Sequence, residues 1–229
     1  MTHDLLDEPV PLLNVGSFLP SSSANGPGRR AVLWLQGCDL RCAGCYNPEL
    51  LAVREHRLVR VDVVAEAISR APGLEGVTYS GGEPTLQSAA LARLSSILRA
   101  RGLTVMCYTG HVYEELVAAR DPDVLALLEH VDLLVDGPYQ REWEPGGVWR
   151  GSANQRLIPL SDRYADLRDD GPHGDDRVAE SSPRLVELHV SDSHLHWTGV
   201  FPPALVRQVA QNLQPDHRAA VGTVGRERP

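Results

Sequence analysis

Three cysteines fall within one short stretch: Cys38, Cys42 and Cys45 of Gly37-Cys38-Asp39-Leu40-Arg41-Cys42-Ala43-Gly44-Cys45-Tyr46-Asn47. Three thiols this close do not make a disulfide framework, and a local cluster of this kind reads as metal or redox chemistry. The spacing C-x3-C-x2-C suits an iron–sulfur cluster, whose irons are held by thiolates, usually four of them. Three thiolates on one loop can take three corners of a cubic [4Fe–4S] cluster and leave one iron open. An open iron can chelate a substrate or cofactor, much as the open position of a catalytic zinc holds water. Three plainer readings compete, the poorest of them a chance clustering of unligated thiols. A structural zinc site would need a fourth ligand near by, and this is not a common zinc spacing. A ferredoxin would need a fourth cysteine, but the remaining one, Cys107, falls in an apolar stretch where a thiol packs as a small core residue.

The elements that must position this loop are legible from periodicity. Residues 31–35 read as a buried strand that Gln36-Gly37 ends, so the cysteines follow a strand directly. Residues 61–70 carry apolar positions at helical spacing and stop at Pro72-Gly73. A short strand over 76–79 runs into Ser80-Gly81-Gly82-Glu83-Pro84, and 87–101 forms a helix with Leu91, Leu94, Ile97 and Leu98 on one side. Residues 103–108 and 131–135 are further strands, with a helical pair over 112–130 between them. Strands alternating with helices point to a parallel α/β sheet, open or partly closed into a barrel, whose ligands sit at the strands' C-terminal ends. The organisation expected is a core over 1–160, a polar linker or loop over 161–183, a hairpin and helix over 184–213 and a frayed tail over 214–229.

Composition narrows the function. The chain has 229 residues with 42% hydrophobic and 23% charged, enough for one domain with a real core. The net charge of −8 argues against sequence-blind binding to nucleic acid or to anionic lipid. All 22 basic residues are arginine, which excludes a lysine Schiff base and a P-loop lysine. No apolar run reaches bilayer length, and Met1-Thr2-His3-Asp4 is no signal-peptide start, so the expected compartment is the cytoplasm. The nine histidines show no ligand spacing, and His194 and His196 are expected to face solvent on the hairpin.

Six stretches in order resemble the radical S-adenosylmethionine (SAM) superfamily. They are Asn25-Gly26-Pro27-Gly28-Arg29, Gly44-Cys45-Tyr46-Asn47-Pro48, Ser80-Gly81-Gly82-Glu83-Pro84, Tyr108-Thr109-Gly110, Val135-Asp136-Gly137-Pro138-Tyr139 and Trp149-Arg150-Gly151-Ser152-Ala153-Asn154-Gln155. The finer resemblance is to the activating enzymes of anaerobic ribonucleotide reductase and pyruvate formate-lyase, and Gly44 before the third cysteine sharpens it. The resemblance implies a partial (β/α) barrel, a [4Fe–4S] cluster on Cys38, Cys42 and Cys45, and bound SAM. It further implies reductive cleavage of SAM to a 5′-deoxyadenosyl radical, with the electron supplied by a flavodoxin- or ferredoxin-type reductant. The radical's target would be a backbone glycine of a glycyl-radical enzyme.

In these terms Gly81 and Gly82 let the backbone approach the cofactor, Ser80 before them is a further candidate cofactor-binding residue, and Glu83 accepts a hydrogen bond from the methionyl amine. Tyr46 offers a ring to adenine, and Asn47 supports the loop or the nucleoside. Asp136, at a strand's C-terminal end, is a candidate catalytic residue. Arg150 is a candidate partner of the methionyl carboxylate, and Asn154 and Gln155 of ribose or backbone amides. The segment 161–229 exceeds the short core of that activase. It keeps two alternatives open: a radical SAM enzyme acting on a small metabolite or peptide, and a non-catalytic [4Fe–4S] sensor.

Overall fold

A computed structural model describes residues 10–144, 146–167, 185–190 and 195–200. Its centre is a seven-stranded sheet ordered β3-β1-β2-β4-β5-β6-β7. The strands are β1 (Leu12–Ser22), β2 (Arg30–Leu35), β3 (Leu58–Arg60), β4 (Gly76–Gly81), β5 (Thr104–Tyr108), β6 (Leu133–Asp136) and β7 (Arg156–Pro159). The helices are α1 (Val61–Ser69), α2 (Ser88–Ala100), α3 (Tyr113–Ala119) and α4 (Pro122–Leu128).

β2, β4, β5 and β6 run parallel, as the alternation of strands and helices predicts. The sheet is mixed, however. β1 pairs antiparallel with both β2 and β3, and β7 pairs antiparallel with β6. The physical reason is the length and content of the connections. A few residues join β1 to β2, too few for the crossover a parallel pair needs, and no α-helix lies between β6 and β7.

Alternation along the strands sorts side chains between two layers. On one face Leu33, Val77, Val105 and Cys107 pack under Ile68, Leu91, Leu94 and Leu98 of α1 and α2. Each such leucine, fully buried, is worth about 1.5–3 kcal/mol. On the other face Met106, Leu133 and Val135 meet Trp149 and Val148 of the long β6–β7 connection. Arg30 starts β2 fully buried, and its guanidinium donates to Thr78 Oγ1 (2.9 Å), Thr104 Oγ1 (2.9 Å) and the Val77 carbonyl (2.7 Å). It thereby ties the beginnings of the parallel strands together through neutral acceptors.

The burial that settles Cys107 also has a consequence in alkali. Burial pushes the Cys107 thiol well above its ordinary range and the Tyr79 phenol up as well. The unfolded chain ionises these groups at about pH 8.5 and 10, while the folded chain holds their protons. The unfolded state therefore binds fewer protons, and stability falls as pH rises above about 9. Melts of the metal-free protein at pH 8 and pH 10.5 should show the higher pH melting several degrees lower; an unchanged melting temperature would contradict the buried assignment.

Residues Asp162–Leu167, expected to open a solvated linker, form a 3₁₀ turn instead. Tyr164 reaches back to Thr104 Oγ1 (2.8 Å) and Arg30 (3.2 Å). Beyond it, the expected hairpin is present as β8 (Val186–Val190) and β9 (Leu195–Gly199), paired antiparallel. The expected helix over 203–213, the tail from 214, most of the linker and the placements of His194 and His196 lie outside the described residues or side chains. Among the described residues no helix is long and apolar enough to cross a membrane.

Candidate functional site

The cysteine loop leaves β2 and is zipped at its base by main-chain bonds. Gly37 N donates to the Leu50 carbonyl (2.8 Å), Cys38 N to Leu51 (3.3 Å), and the Gln36 side chain to Ala52 (2.7 Å). Within the loop, Arg41 folds back to donate to the Cys38 carbonyl (2.6 Å), and Cys45 N donates to Cys42 (3.2 Å). These bonds hold the loop's shape without help from the thiols. All three thiols line one cavity of about 740 Å³ on the sheet face opposite α1 and α2, within the size range of cofactor pockets. Burial raises the pKa of Cys38 and Cys45. Asn47 N donates to Cys45 Sγ (3.4 Å), a contact that favours a liganded sulfur.

The donor set fits an iron–sulfur cluster better than the plainer readings. All four cysteines are free, and among the described residues no three His, Cys, Asp or Glu converge to hold a single ion. A mononuclear zinc needs such convergence, whereas a cluster takes its thiolates at separate corners. Cys107 cannot serve as a fourth ligand, because it is 1% exposed and lies on the helix-covered face of β5.

Beside this loop, β4 ends in the Gly81-Gly82-Glu83 turn, which also lines the cavity together with Ser80. The glycines have a different explanation from close approach to a ligand. A Cβ at Gly82 would lie 2.0 Å from the Gly37 carbonyl oxygen, and one at Gly81 2.5 Å from Leu35 N. Gly81 also has φ near +104°. The turn is pressed onto the end of β2, with Gly82 N donating to Leu35 (2.8 Å) and Glu83 N to Gly37 (2.8 Å). Gly82→Ala therefore forces backbone apart at the base of the cysteine loop. It should cost about 1–3 kcal/mol and reduce cluster loading, read as a lower melting temperature and lower iron content after reconstitution. A normal iron content in the alanine variant would show that the two turns do not depend on each other.

Glu83 is 1% exposed and already heavily engaged. Its Oε1 accepts from Thr85 N (3.0 Å), Thr85 Oγ1 (2.8 Å) and Thr109 Oγ1 (2.9 Å), and Oε2 accepts from Gly110 N (2.9 Å). The carboxylate thus caps the 3₁₀ turn Pro84–Gln87 and stitches it to the loop after β5. Oε2, with one donor, keeps acceptor capacity toward the cavity.

Tyr46 and Asn47 line the cavity. The Tyr46 hydroxyl donates to Glu144 (2.9 Å), and its ring meets Tyr139 edge-on at 5.1 Å. Tyr139 donates to the same carboxylate oxygen, and burial with the Glu144 charge pushes its phenol up to about 12. Asn47 Nδ2 reaches the Gly81 carbonyl (3.4 Å), bridging the cysteine and glycine turns.

Three expectations need correction. Asp136 does not face the cavity. Its buried carboxylate accepts from Tyr113 N (2.8 Å), at the start of α3, and from Arg156 Nε (2.9 Å) and Nη2. It is a structural ion pair at the β6–β7 junction, because a strand-end carboxylate beside an unsatisfied helix N–H group has a partner without any ligand. Arg150 is buried inside its own loop, donating to the Gln155 carbonyl (3.2 Å) and packed where a Cβ at Gly147 would stand. Asn154 donates to the Pro138 carbonyl (2.7 Å). Gln155 touches the cavity but uses its amide to accept from Gly151 N (2.8 Å) and to donate to Gly137 (3.1 Å). These side chains shape the β6–β7 connection.

Sequence reasoning missed Trp34, Tyr108, Trp149, Glu144 and Thr198. Trp34, Tyr108 and Trp149 form apolar cavity wall, and Tyr108 donates to the Trp149 carbonyl (2.9 Å). The inward parity of Trp34 in β2, one residue from the strand's end, was the available signal.

With this geometry in view, the likenesses to known proteins fall into one group. Residues 24–158 match the family model described as a 4Fe-4S single cluster domain. The anaerobic ribonucleoside-triphosphate reductase-activating protein of Enterobacteria phage T4 is 32% identical over 156 residues, covering 66% of this chain and 96% of that protein. Its counterpart in Vibrio cholerae serotype O1 is 32% identical over 152 residues, 62% of this chain and 96% of the relative. That of Escherichia coli K12 is 28% identical over 152 residues, again with 96% of the relative covered. The three-cysteine loop, the absence of a reachable fourth thiol and these matches agree: the chain belongs to the 4Fe-4S single cluster domain family, in the radical SAM group that contains the anaerobic ribonucleoside-triphosphate reductase-activating proteins.

Proposed function

We propose that this chain activates a glycyl-radical enzyme such as anaerobic ribonucleotide reductase, working in the cytoplasm on a partial (β/α) barrel. The observation that carries this reading is the meeting of the cysteine loop and the Gly81-Gly82-Glu83 turn around one cavity, at the C-terminal ends of the adjacent parallel strands β2 and β4. The parallel core with helices on one face and a cavity on the other supports the barrel. Free thiols in a cluster support a reducing compartment.

Cys38, Cys42 and Cys45 would hold three irons of a [4Fe–4S] cluster, leaving the fourth to the methionyl amine and carboxylate of SAM. When both are bound, they supply one chemistry: an electron from a flavodoxin- or ferredoxin-type donor splits SAM into methionine and a 5′-deoxyadenosyl radical, which takes a hydrogen atom from the target glycine and leaves a glycyl radical and 5′-deoxyadenosine. The chain's own residues position and shield. Glu83 Oε2 would receive the methionyl ammonium as a charge-assisted acceptor. The Tyr46 ring, held edge-on by Tyr139 and through its hydroxyl by Glu144, offers a pre-set face to adenine. Trp34 and Trp149 keep water from the interior of the site.

The test is anaerobic reconstitution with iron and sulfide, then SAM and a strong reductant, with 5′-deoxyadenosine as the readout. A candidate glycyl-radical enzyme is then added and the organic radical sought by electron paramagnetic resonance. Product with a radical on the partner is the expected result. A loaded cluster with no SAM cleavage in the partner's presence would favour a sensor. Cleavage without a radical on any such partner would point to a small-molecule substrate.

A further inference from the structure

At one rim of the cavity the cysteine loop is clasped to the β6–β7 connection, and a carboxylate joins the two. Glu144 Oε1 accepts from the Tyr46 hydroxyl (2.9 Å), and the Tyr139 hydroxyl donates to the same oxygen. The two rings meet edge-on at 5.1 Å, and both line the cavity with Cys45. The Arg141 guanidinium fills the space above Gly44, where an added Cβ would overlap its Nη2. Arg141 also donates to the Tyr139 hydroxyl. Cys45, half-buried, therefore lies between two residues, Gly44 and Tyr46, that each meet the short turn Arg141–Trp143 or its neighbour Glu144.

The two sides of the clasp are not equally fixed. On the side of the connection, Gln140 N donates to Ser152 Oγ (3.1 Å) and Ala153 N to the Trp143 carbonyl (2.8 Å), and Ser152 is fully buried. The cysteine loop is fixed at its base by Gly37 N and Cys38 N, but its other end passes through the exposed Gly44, whose φ is near +78°. The Gly44–Tyr46 end is thus the part that can swing away. Tyr46 is 39% exposed and Trp143 43%, so the closed clasp keeps solvent at its outer face. Two phenols on one carboxylate oxygen hold more firmly than a neutral pair would. Water can nevertheless compete for them, which lets the clasp release.

We propose that Glu144 is the latch of this clasp: it governs how readily Cys45 is reached from solvent, and so how fast iron enters and leaves the site. The first arm of its test needs neither cofactor nor partner, and so does not depend on the reaction proposed above. The metal-free full chain is treated with iodoacetamide, and the modification rate of each cysteine is read by mass spectrometry. Where opening and closing are fast, that rate follows the population of the open state. Glu144→Ala should raise the Cys45 rate about tenfold, equivalent to about 1.4 kcal/mol. The Cys107 rate should stay at its wild-type value, since that thiol lies behind β5 and reports global opening. Glu144→Gln, which keeps the shape and an uncharged acceptor, should fall between the two and serves if the alanine variant does not fold. Tyr139→Phe removes one donor but keeps the Glu144 charge, and should speed Cys45 about threefold. In the second arm, iron loss from the reconstituted protein to a chelator should accelerate in the same order. Equal Cys45 rates in wild type and both Glu144 variants would overturn the proposal, as would a rise shared equally by Cys107. A rise in the Glu144 variants with none in Tyr139→Phe would assign the effect to charge alone and overturn it too. Faster Cys45 labelling with unchanged iron loss would overturn the link to iron exchange.

Discussion

Cys42→Ala should purify as a folded protein that takes up no cluster. The loop is closed by main-chain bonds at Gly37–Leu50 and Cys38–Leu51 and by the Arg41 side chain, none of which uses the Cys42 sulfur. Cys42 is half-exposed, so its removal leaves little cavity, and the melting temperature of the metal-free protein should move by less than about 2 °C. Two remaining thiolates cannot replace three corners, and no other thiol can reach, since Cys107 lies behind β5. Reconstitution should therefore give little bound iron, with the visible absorption of the cluster lost and SAM cleavage abolished. Cys107→Ala supplies the contrast. It should keep full iron content and lose about 1 kcal/mol of stability from the small cavity left under α2. A Cys107 variant that lost its iron while the Cys42 variant kept it would reverse the ligand assignment.

The parallel half of the sheet and the cysteine loop were legible because each has a local signature. Apolar runs punctuated by Gln36-Gly37, Pro72-Gly73 and Thr109-Gly110 mark strands and helices within a residue or two of where they lie. The antiparallel strands carried no such signature. β1 spans eleven residues but includes Gly16 and Pro20, and its pairing with β2 shifts register twice. Such a strand is specified by its neighbours more than by its own alternation. At the site, residue type and spacing singled out three thiols that line one cavity, because three thiols in one loop have few other uses. They did not tell a ligand-facing side chain from one that serves the scaffold. Asp136 and Arg150 sit in stretches that carry the family resemblance, yet Asp136 holds the start of α3 and Arg156, and Arg150 is packed within its own loop. Their direction is set by partners distant in sequence, which no local pattern encodes. Gly81 and Gly82 make the same point. They line the cavity, but the space their side chains would need is filled by the backbone of β2.

Glu83 combines both kinds of role, and a pair of variants separates them. Glu83→Ala removes the acceptor for Thr85 N, Thr85 Oγ1, Thr109 Oγ1 and Gly110 N at once. Hydrogen bonds to a charged group are worth about 1.5–3 kcal/mol each, but those donors that can rehydrate through the cavity recover part of the loss. A net cost of about 3–5 kcal/mol is expected, which for a chain of this size lowers the melting temperature by about 10 °C. Glu83→Gln is the more informative change. Its amide oxygen can keep the three donors at Oε1, while its NH2 group meets Gly110 N–H as a second donor. The melting temperature should fall by only a few degrees. SAM affinity should nevertheless drop about tenfold, because the charge that would face the methionyl ammonium is gone. Equilibrium dialysis with SAM and a thermal melt on each cluster-loaded variant decide the matter. Affinity falling in the glutamine variant far more than stability assigns Glu83 a direct contact with the ligand. Affinity that stays at the wild-type value in the glutamine variant would make the carboxylate a stitch between the β4 and β5 loops and nothing more.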